Sequence, residues 1–167
     1  MGGTRRLWVR LGILGLGLGL GLGLAWRSRS VREHWVRWTK YCPGCDLQAT
    51  DLSRADLQGA NLERANLERA NLSESNLQNA NLTQANLQNS NLSLAQLLAA
   101  NLSGANLTQA NLQGAGLQHI TGRATNFQGA SLLFADLSYA DLTGAQFTGA
   151  IVQGVNWSGT QRDSPPP

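Results

Sequence analysis

The 167-residue chain is poor in the groups that carry chemistry. It holds two cysteines, two histidines and one methionine, and only 14% of its residues are charged. His34 and His119 stand near no cysteine or carboxylate arrangement of the kind a catalytic triad needs. The glycine–leucine run near the N-terminus lacks the preceding strand and the following Lys–Ser/Thr pair of a phosphate loop. Aromatics make up 6% of the chain, and Val, Ile and Phe are too scarce for an ordinary mixed core. The length suits one modest domain and leaves no room for a separate catalytic one. The expectation is a protein that is not an enzyme and needs no cofactor or metal.

Charge is unevenly placed. Arg5, Arg6, Arg10, Arg27, Arg29, Arg32, Arg37 and Lys40 precede the cysteines, opposed only by Glu33. Between Asp46 and Trp157, Arg54, Arg64, Arg69 and Arg123 face eight carboxylates. The basic pI of about 9.4 therefore belongs to the N-terminal stretch, and the rest is mildly acidic. Binding of nucleic acid through a basic face is not expected, and a small-molecule substrate is not expected either.

Residues 1–29 read as a transmembrane or export-signal segment. The run LGILGLGLGLGLGLAW at 11–26, extended back to Leu7, gives about twenty residues for engaging a membrane, with Arg10 able to reach the headgroups. TRRLWVR at 4–10 has the look of a twin-arginine export signal, and Gly23-Leu24-Ala25 offers a small-x-small cleavage site. Basic residues flank both ends, so orientation is not fixed by charge. Residues 30–40 read as an amphipathic helix with Val31, Trp35 and Trp38 on one face. It serves either as a lid on the domain C-terminal to it or, with its tryptophans, as an interfacial helix, and the lid is favoured.

From residue 41 a five-residue unit takes over. Leu recurs at 47, 52, 57, 62 and onward to 117, and the register resumes as Phe127, Leu132, Leu137, Leu142, Phe147, Val152 and Trp157. A small residue, usually Ala, stands two places before each centre, with Asn or Asp between them. Five matches neither the helical nor the strand period, so the unit is one element of a solenoid that buries its face only against its neighbours. TQRDSPPP at 160–167 breaks the pattern and reads as a disordered tail.

This A-(N/D)-L-x-x pattern resembles the pentapeptide-repeat family over residues 42–159. The resemblance implies an all-β right-handed quadrilateral parallel β-helix of about six coils, four pentapeptides to a coil, with the Leu centres and the Ala residues pointing inward. Residue n then lies against residue n+20. Phe127 is expected to stack on Phe147, Trp157 to plug the open end, Arg54 to meet Glu74, and His119 to meet Tyr139. Gly122 interrupts the Leu positions, and Ile120, two residues earlier, is expected to fill the missing volume. Extended backwards, the register puts Cys42 and Cys45 in inward slots, as structural cysteines that are either reduced or paired in a disulfide. Asp46, Asp51 and Asp56 fall on different sides of the coil and do not converge as a metal site.

Leu94, Leu98, Leu133, Phe134 and Tyr139 occupy outward positions and form a candidate partner patch. The family resemblance implies a non-catalytic scaffold with a protein partner, and the N-terminal segment implies that it is tethered to the membrane through residues 7–26 or exported to a periplasm or thylakoid lumen. The alternative is the DNA-mimicking branch of the family, which binds DNA gyrase. That branch is cytosolic and strongly acidic on one face, features this chain does not share.

Overall fold

The computed structural model describes residues 29–163. From Tyr41↔Asn61 to Asp141↔Gln161, every bridge is parallel and joins a residue to the one twenty positions on. Four pentapeptides therefore close one coil, and six coils stack into a right-handed quadrilateral β-helix. At the ordinary strand spacing the rod is roughly 28 Å long.

The backbone explains the period. The N–H of each centre donates to the carbonyl of the next coil's rung, as Leu87 does to Asn106 (2.7 Å), and the rung's own N–H donates back, as Asn106 does to Ala85 (2.9 Å). The following small residue donates to the centre's carbonyl, as Ala80 does to Leu77 (3.0 Å), which closes a tight turn. Every fifth residue from Gly44 to Gly159 has a positive φ, between 52° and 73°, the mark of a type II turn at its third position. Arg, Glu, Leu, Phe and Tyr are all held in this left-handed region, at a cost of about 1 kcal/mol apiece. Regular hydrogen bonding between coils keeps them there.

The leucines at the repeat centres from Leu47 to Leu117 and the alanines two places before them, from Ala55 to Ala115, are buried in one continuous column. Where a hydroxyl replaces the alanine methyl it turns back to the backbone: Thr50, Ser75 and Ser90 donate to the carbonyls of Leu47, Leu72 and Leu87. The break at Gly122 is a volume exchange. Ile120 is buried, the coil stays paired through Thr121↔Asp141, and a Cβ on Gly122 would lie 2.8 Å from Leu142 Cδ2 and 3.4 Å from Ile120 Cδ1. Phe127 stacks on Phe147 with ring centroids 5.0 Å apart.

The first end of the rod is closed by helix α1, Arg29–Thr39. Its orientation differs from the one the apolar spacing predicts. Val36 is fully buried, Trp35 packs partly against the core, and Trp38 is 71% exposed. The cause is a set of polar ties that rotate the helix. Arg32 pairs with Asp46, Lys40 with Asp56, Glu33 accepts the Asp51 N–H, and Arg37 donates to the carbonyls of Asp51 and Ser53. These ties reach three faces of the first coil, so α1 lies across the end as a lid.

The far end is closed by side chains of the rod itself. Trp157 meets Phe147 edge-on at 5.6 Å, and the Arg162 guanidinium lies 4.6 Å over the Trp157 ring. The ordered rod runs further than the sequence pattern predicts. Thr160 bonds the carbonyls of Leu137 and Trp157, Gln161 serves as a rung, and Asp163 accepts the Gly144 N–H. A Gln can fill a rung as well as Asn, because the bridge is made by the backbone.

Residues 1–28, which carry the expected membrane or export segment, lie outside the described residues, as do 164–167. Among the described residues no helix is long and apolar enough to cross a membrane.

Candidate functional site

The outer surface is built from three positions of each repeat. The rung residue bonds forward to the N–H two places on, as Asn81 does to Thr83 (3.1 Å), and this fixes its side chain against the coil. On two faces the rung amides also bond one another from coil to coil. Asn106 donates to Asn86, Asn86 to Asn66, and Asn66 to Asp46; on the next face Asn111 donates to Asn91, Asn91 to Asn71, and Asn71 to Asp51. Each ladder ends in an aspartate on the coil that α1 covers. An Asn there would offer no charge to Arg32 or Arg37; an Asp accepts from the amide below and meets the cation above.

The electrostatics follow from these pairings. Arg32 holds the Asp46 carboxyl below the usual carboxylate value, and Lys40 does the same for Asp56. Ser53 lowers Asp51. Arg54 binds Glu74 through two contacts of 3.0 Å, lowering the carboxyl and raising the guanidinium. Asp136 is low even though burial works against its charge, because the Ser138 backbone and hydroxyl and the Gln118 amide outweigh that burial. Asp141 is lowered by the Thr143 hydroxyl and by Arg123. Glu63 and Glu68 each lie beside an arginine, Arg64 and Arg69. On the first coils Asp46, Asp56, Glu63, Glu68 and Glu74 each lie beside a cation, while the Asp51 carboxylate accepts from Ser53 and Asn71. Among the described residues no group of His, Cys, Asp and Glu side chains converges to hold a metal ion.

Cys42 and Cys45 form a disulfide with their Cα atoms 5.3 Å apart. Cys42 is buried and Cys45 half-buried against the core. Pro43 and Gly44 supply the two turn residues between them, with Gly44 at φ +66°, so the bridge locks a turn that the backbone already favours.

The apolar surface residues divide into two ridges. Leu94, Leu133 and Phe134 lie at the corner after the Leu92–Leu132 face, with Ile151 beside them on that face; Leu98 and Tyr139 lie at the next corner. A polar stripe of Gln96, Gly116, Asp136 and Asn156 separates the ridges. The expected single patch is therefore two parallel lines with hydrogen-bonding groups between them. His119 stacks on Tyr139 at 5.1 Å, extending the second ridge.

A signal missed in the sequence accompanies both ridges. Leu94, Phe134 and Tyr139 are each followed by glycine twenty residues on, at Gly114, Gly154 and Gly159. A Cβ at Gly154 would meet Phe134 Cδ1, and one at Gly159 would meet Tyr139 Cδ1, both at 2.5 Å. Each large side chain lies flat on a shelf that only glycine leaves open. The rings are held in place and still show most of their surface, 64% for Phe134 and 63% for Tyr139.

Kinship with known proteins agrees with this geometry. The pentapeptide-repeat family model matches residues 45–84, 75–114 and 123–160. The chain belongs to the pentapeptide-repeat family. The unmatched stretch between the last two segments contains Gly122, where the Leu position is empty. Comparison with curated protein sequences yields no match. Among solved structures, the rod is similar to a pentapeptide repeat protein from the Arabidopsis thaliana thylakoid lumen, at 29% identity over 63% of this chain and 70% of that one, with a TM-score of 0.55. It is also similar to HetL of the cyanobacterium Nostoc sp. strain PCC 7120, a pentapeptide repeat protein involved in heterocyst differentiation regulation (26% identity, 72% and 75% coverage, TM-score 0.33). QnrB1, a plasmid-mediated fluoroquinolone resistance protein, matches at 20% identity with 74% and 80% coverage and a TM-score of 0.33. As a pentapeptide-repeat rod, the molecule offers spaced, rigid surface contacts.

Proposed function

We propose that this protein is a non-catalytic interaction module, a rigid rod that engages a protein partner along the Leu94–Phe134 and Leu98–Tyr139 ridges. The observation that carries this is the pair of ridges on glycine shelves. Large apolar side chains are fixed and exposed there, flanking a polar stripe that can supply hydrogen bonds to a partner. The rod is either tethered through residues 7–26 or exported. The glycine–leucine run and the twin-arginine pattern support that localisation, as does the likeness to a rod from a thylakoid lumen.

The test is quantitative affinity capture from the source cells with the native chain and a Leu94→Glu/Phe134→Glu variant. Both sites are exposed, so the variant is expected to keep its melting temperature and lose a specific partner. Identical captured sets from both chains would overturn the assignment of the ridges. Fractionation with protease protection tests the localisation; complete digestion of the rod from the cytosolic side would rule out export. The DNA-mimic alternative gains little from the surface, because five carboxylates of the first coils, Asp46, Asp56, Glu63, Glu68 and Glu74, are each paired with a cation. A supercoiling assay with residues 41–167 is expected to show no inhibition of gyrase.

A further inference from the structure

The lid helix has two working faces. One side of α1 holds Arg32 and Val36 and, with Lys40 just past its end, is committed to the rod. The opposite side carries His34 and Trp38, both exposed, Trp38 to 71%; Tyr41, the first rung of the coil that α1 covers, is 62% exposed on the side of the rod next to the helix end. Exposed Trp and Tyr together are unusual at an end whose only task is to seal a core, since both rings leave a large apolar area in water. They are the residue types that settle at the boundary between lipid and water.

The chain upstream says what covers this face. The apolar run ends at Trp26, and two residues, Arg27 and Ser28, separate it from the start of α1. Fully extended, that link reaches no further than about 10 Å. The stretch 27–40 carries Arg27, Arg29, Arg32, Arg37 and Lys40 against Glu33, a charge suited to a phosphate headgroup layer. Arg32 and Lys40 are turned to Asp46 and Asp56, and Arg37, though exposed, donates to the carbonyls of Asp51 and Ser53.

We propose that the outer face of α1, through Trp38, rests on the headgroup layer of a lipid bilayer, with Tyr41 of the adjoining first rung at the edge of that contact, so that the rod stands upright on the membrane. This rests on the tethered form of the function proposed above. Because α1 lies across the end of the coils, an interfacial helix fixes the rod axis close to the bilayer normal. Tyr139 lies five coils beyond α1, which places that ridge roughly 24 Å above the lid at the ordinary strand spacing. Leu94 and Leu98 lie in the third coil, so the partner ridges begin about midway along the rod and run away from the membrane face.

Tyr41 and Tyr139 make a matched pair for the test, being one residue type at 62% and 63% exposure at opposite ends of the rod. The full chain is reconstituted into phosphatidylcholine–phosphatidylglycerol nanodiscs, labelled with hydroxyl radicals, and read residue by residue by mass spectrometry. Labelling of Tyr41 is expected to drop roughly fivefold relative to Tyr139, with Trp38 protected alongside it, as for interfacial aromatics. A second chain with a flexible Gly-Ser insert between Ser28 and Arg29 is expected to keep that protection, because the face has lipid affinity of its own. If residues 7–26 are protected from protease in the disc but Tyr41 labels like Tyr139, the upright arrangement is overturned and the tether stands. If protection vanishes with the insert, the face has no affinity and the proposal is again overturned. If the full chain does not associate with the disc, both the tether and the proposal fail.

Discussion

The two ends of the rod solve one problem in different ways. At the first, a solenoid whose core would open to water is closed by a separate element, α1, drawn down by four polar side chains around a single buried valine. At the last, the coil closes itself with rings: Phe147 under Trp157, and Trp157 under Arg162. The difference shows that a repeat does not dictate its own caps. The first end draws its specificity from charge on Asp46 and Asp56 and from the backbone groups of Asp51 and Ser53, the last from the volume of side chains in centre positions. It also separates two surfaces, one apolar and ridged along the later coils, the other aromatic and basic on the lid.

The sharpest way to break the contrast is Val36→Asp. A carboxylate under the lid has no partner in the core, and the change should cost about 4 kcal/mol or detach α1 outright. Hydrogen exchange should quicken at the amides of the first coil and stay unchanged at the last. The interior supplies the reference. Ile120→Ala should cost about 3 kcal/mol in urea denaturation, and adding Gly122→Leu should bring the loss back to about 1 kcal/mol, because the volume moves to its usual position. A double variant no better than the single one would show that the break is not a volume exchange. At the last end, Phe147→Ala should cost about 2 kcal/mol, less than a fully buried ring would, and should loosen only the final coil.

Much of the rod is legible in the sequence, and the reason is register. Once residue n lies on n+20, the Phe127–Phe147 stack, the Arg54–Glu74 pair and the buried Ile120 follow from counting. The lid is less legible. Apolar spacing alone puts Trp38 beside Trp35, and the winning stripe is set by Asp46, Asp51 and Asp56, whose pull on Arg32, Arg37 and Lys40 is a tertiary effect. The glycine shelves are visible in the sequence as a large residue followed twenty places later by glycine, but that pairing has meaning only after the coil length is known.

Acid should produce the smallest effect and again divide the ends. Asp46 and Asp56 are held below their ordinary value of 3.8 by Arg32 and Lys40. A carboxyl lowered in the folded state binds fewer protons there than when unfolded. Its stabilisation is therefore complete above the unfolded value and lost as pH falls through the folded one. The groups facing this junction are Arg32, Glu33 and Arg37 from α1, Lys40 just past its end, and Asp46, Asp51 and Asp56 from the coil. Below about pH 4 the lid should loosen, with faster exchange in α1, while the Phe147–Trp157 end keeps its protection. Equal loosening at both ends would count against a charge-held lid.

The central claim is that the ridges of the later coils are the contact surface of an interaction rod. A photo-crosslinking amino acid placed at Phe134 in the full chain, and separately at Gln84 on the diagonally opposite corner, tests it inside the source cells. A discrete covalent adduct from position 134, with none from position 84, is the predicted result. Adducts in equal measure from both corners, or from position 84 alone, would contradict it.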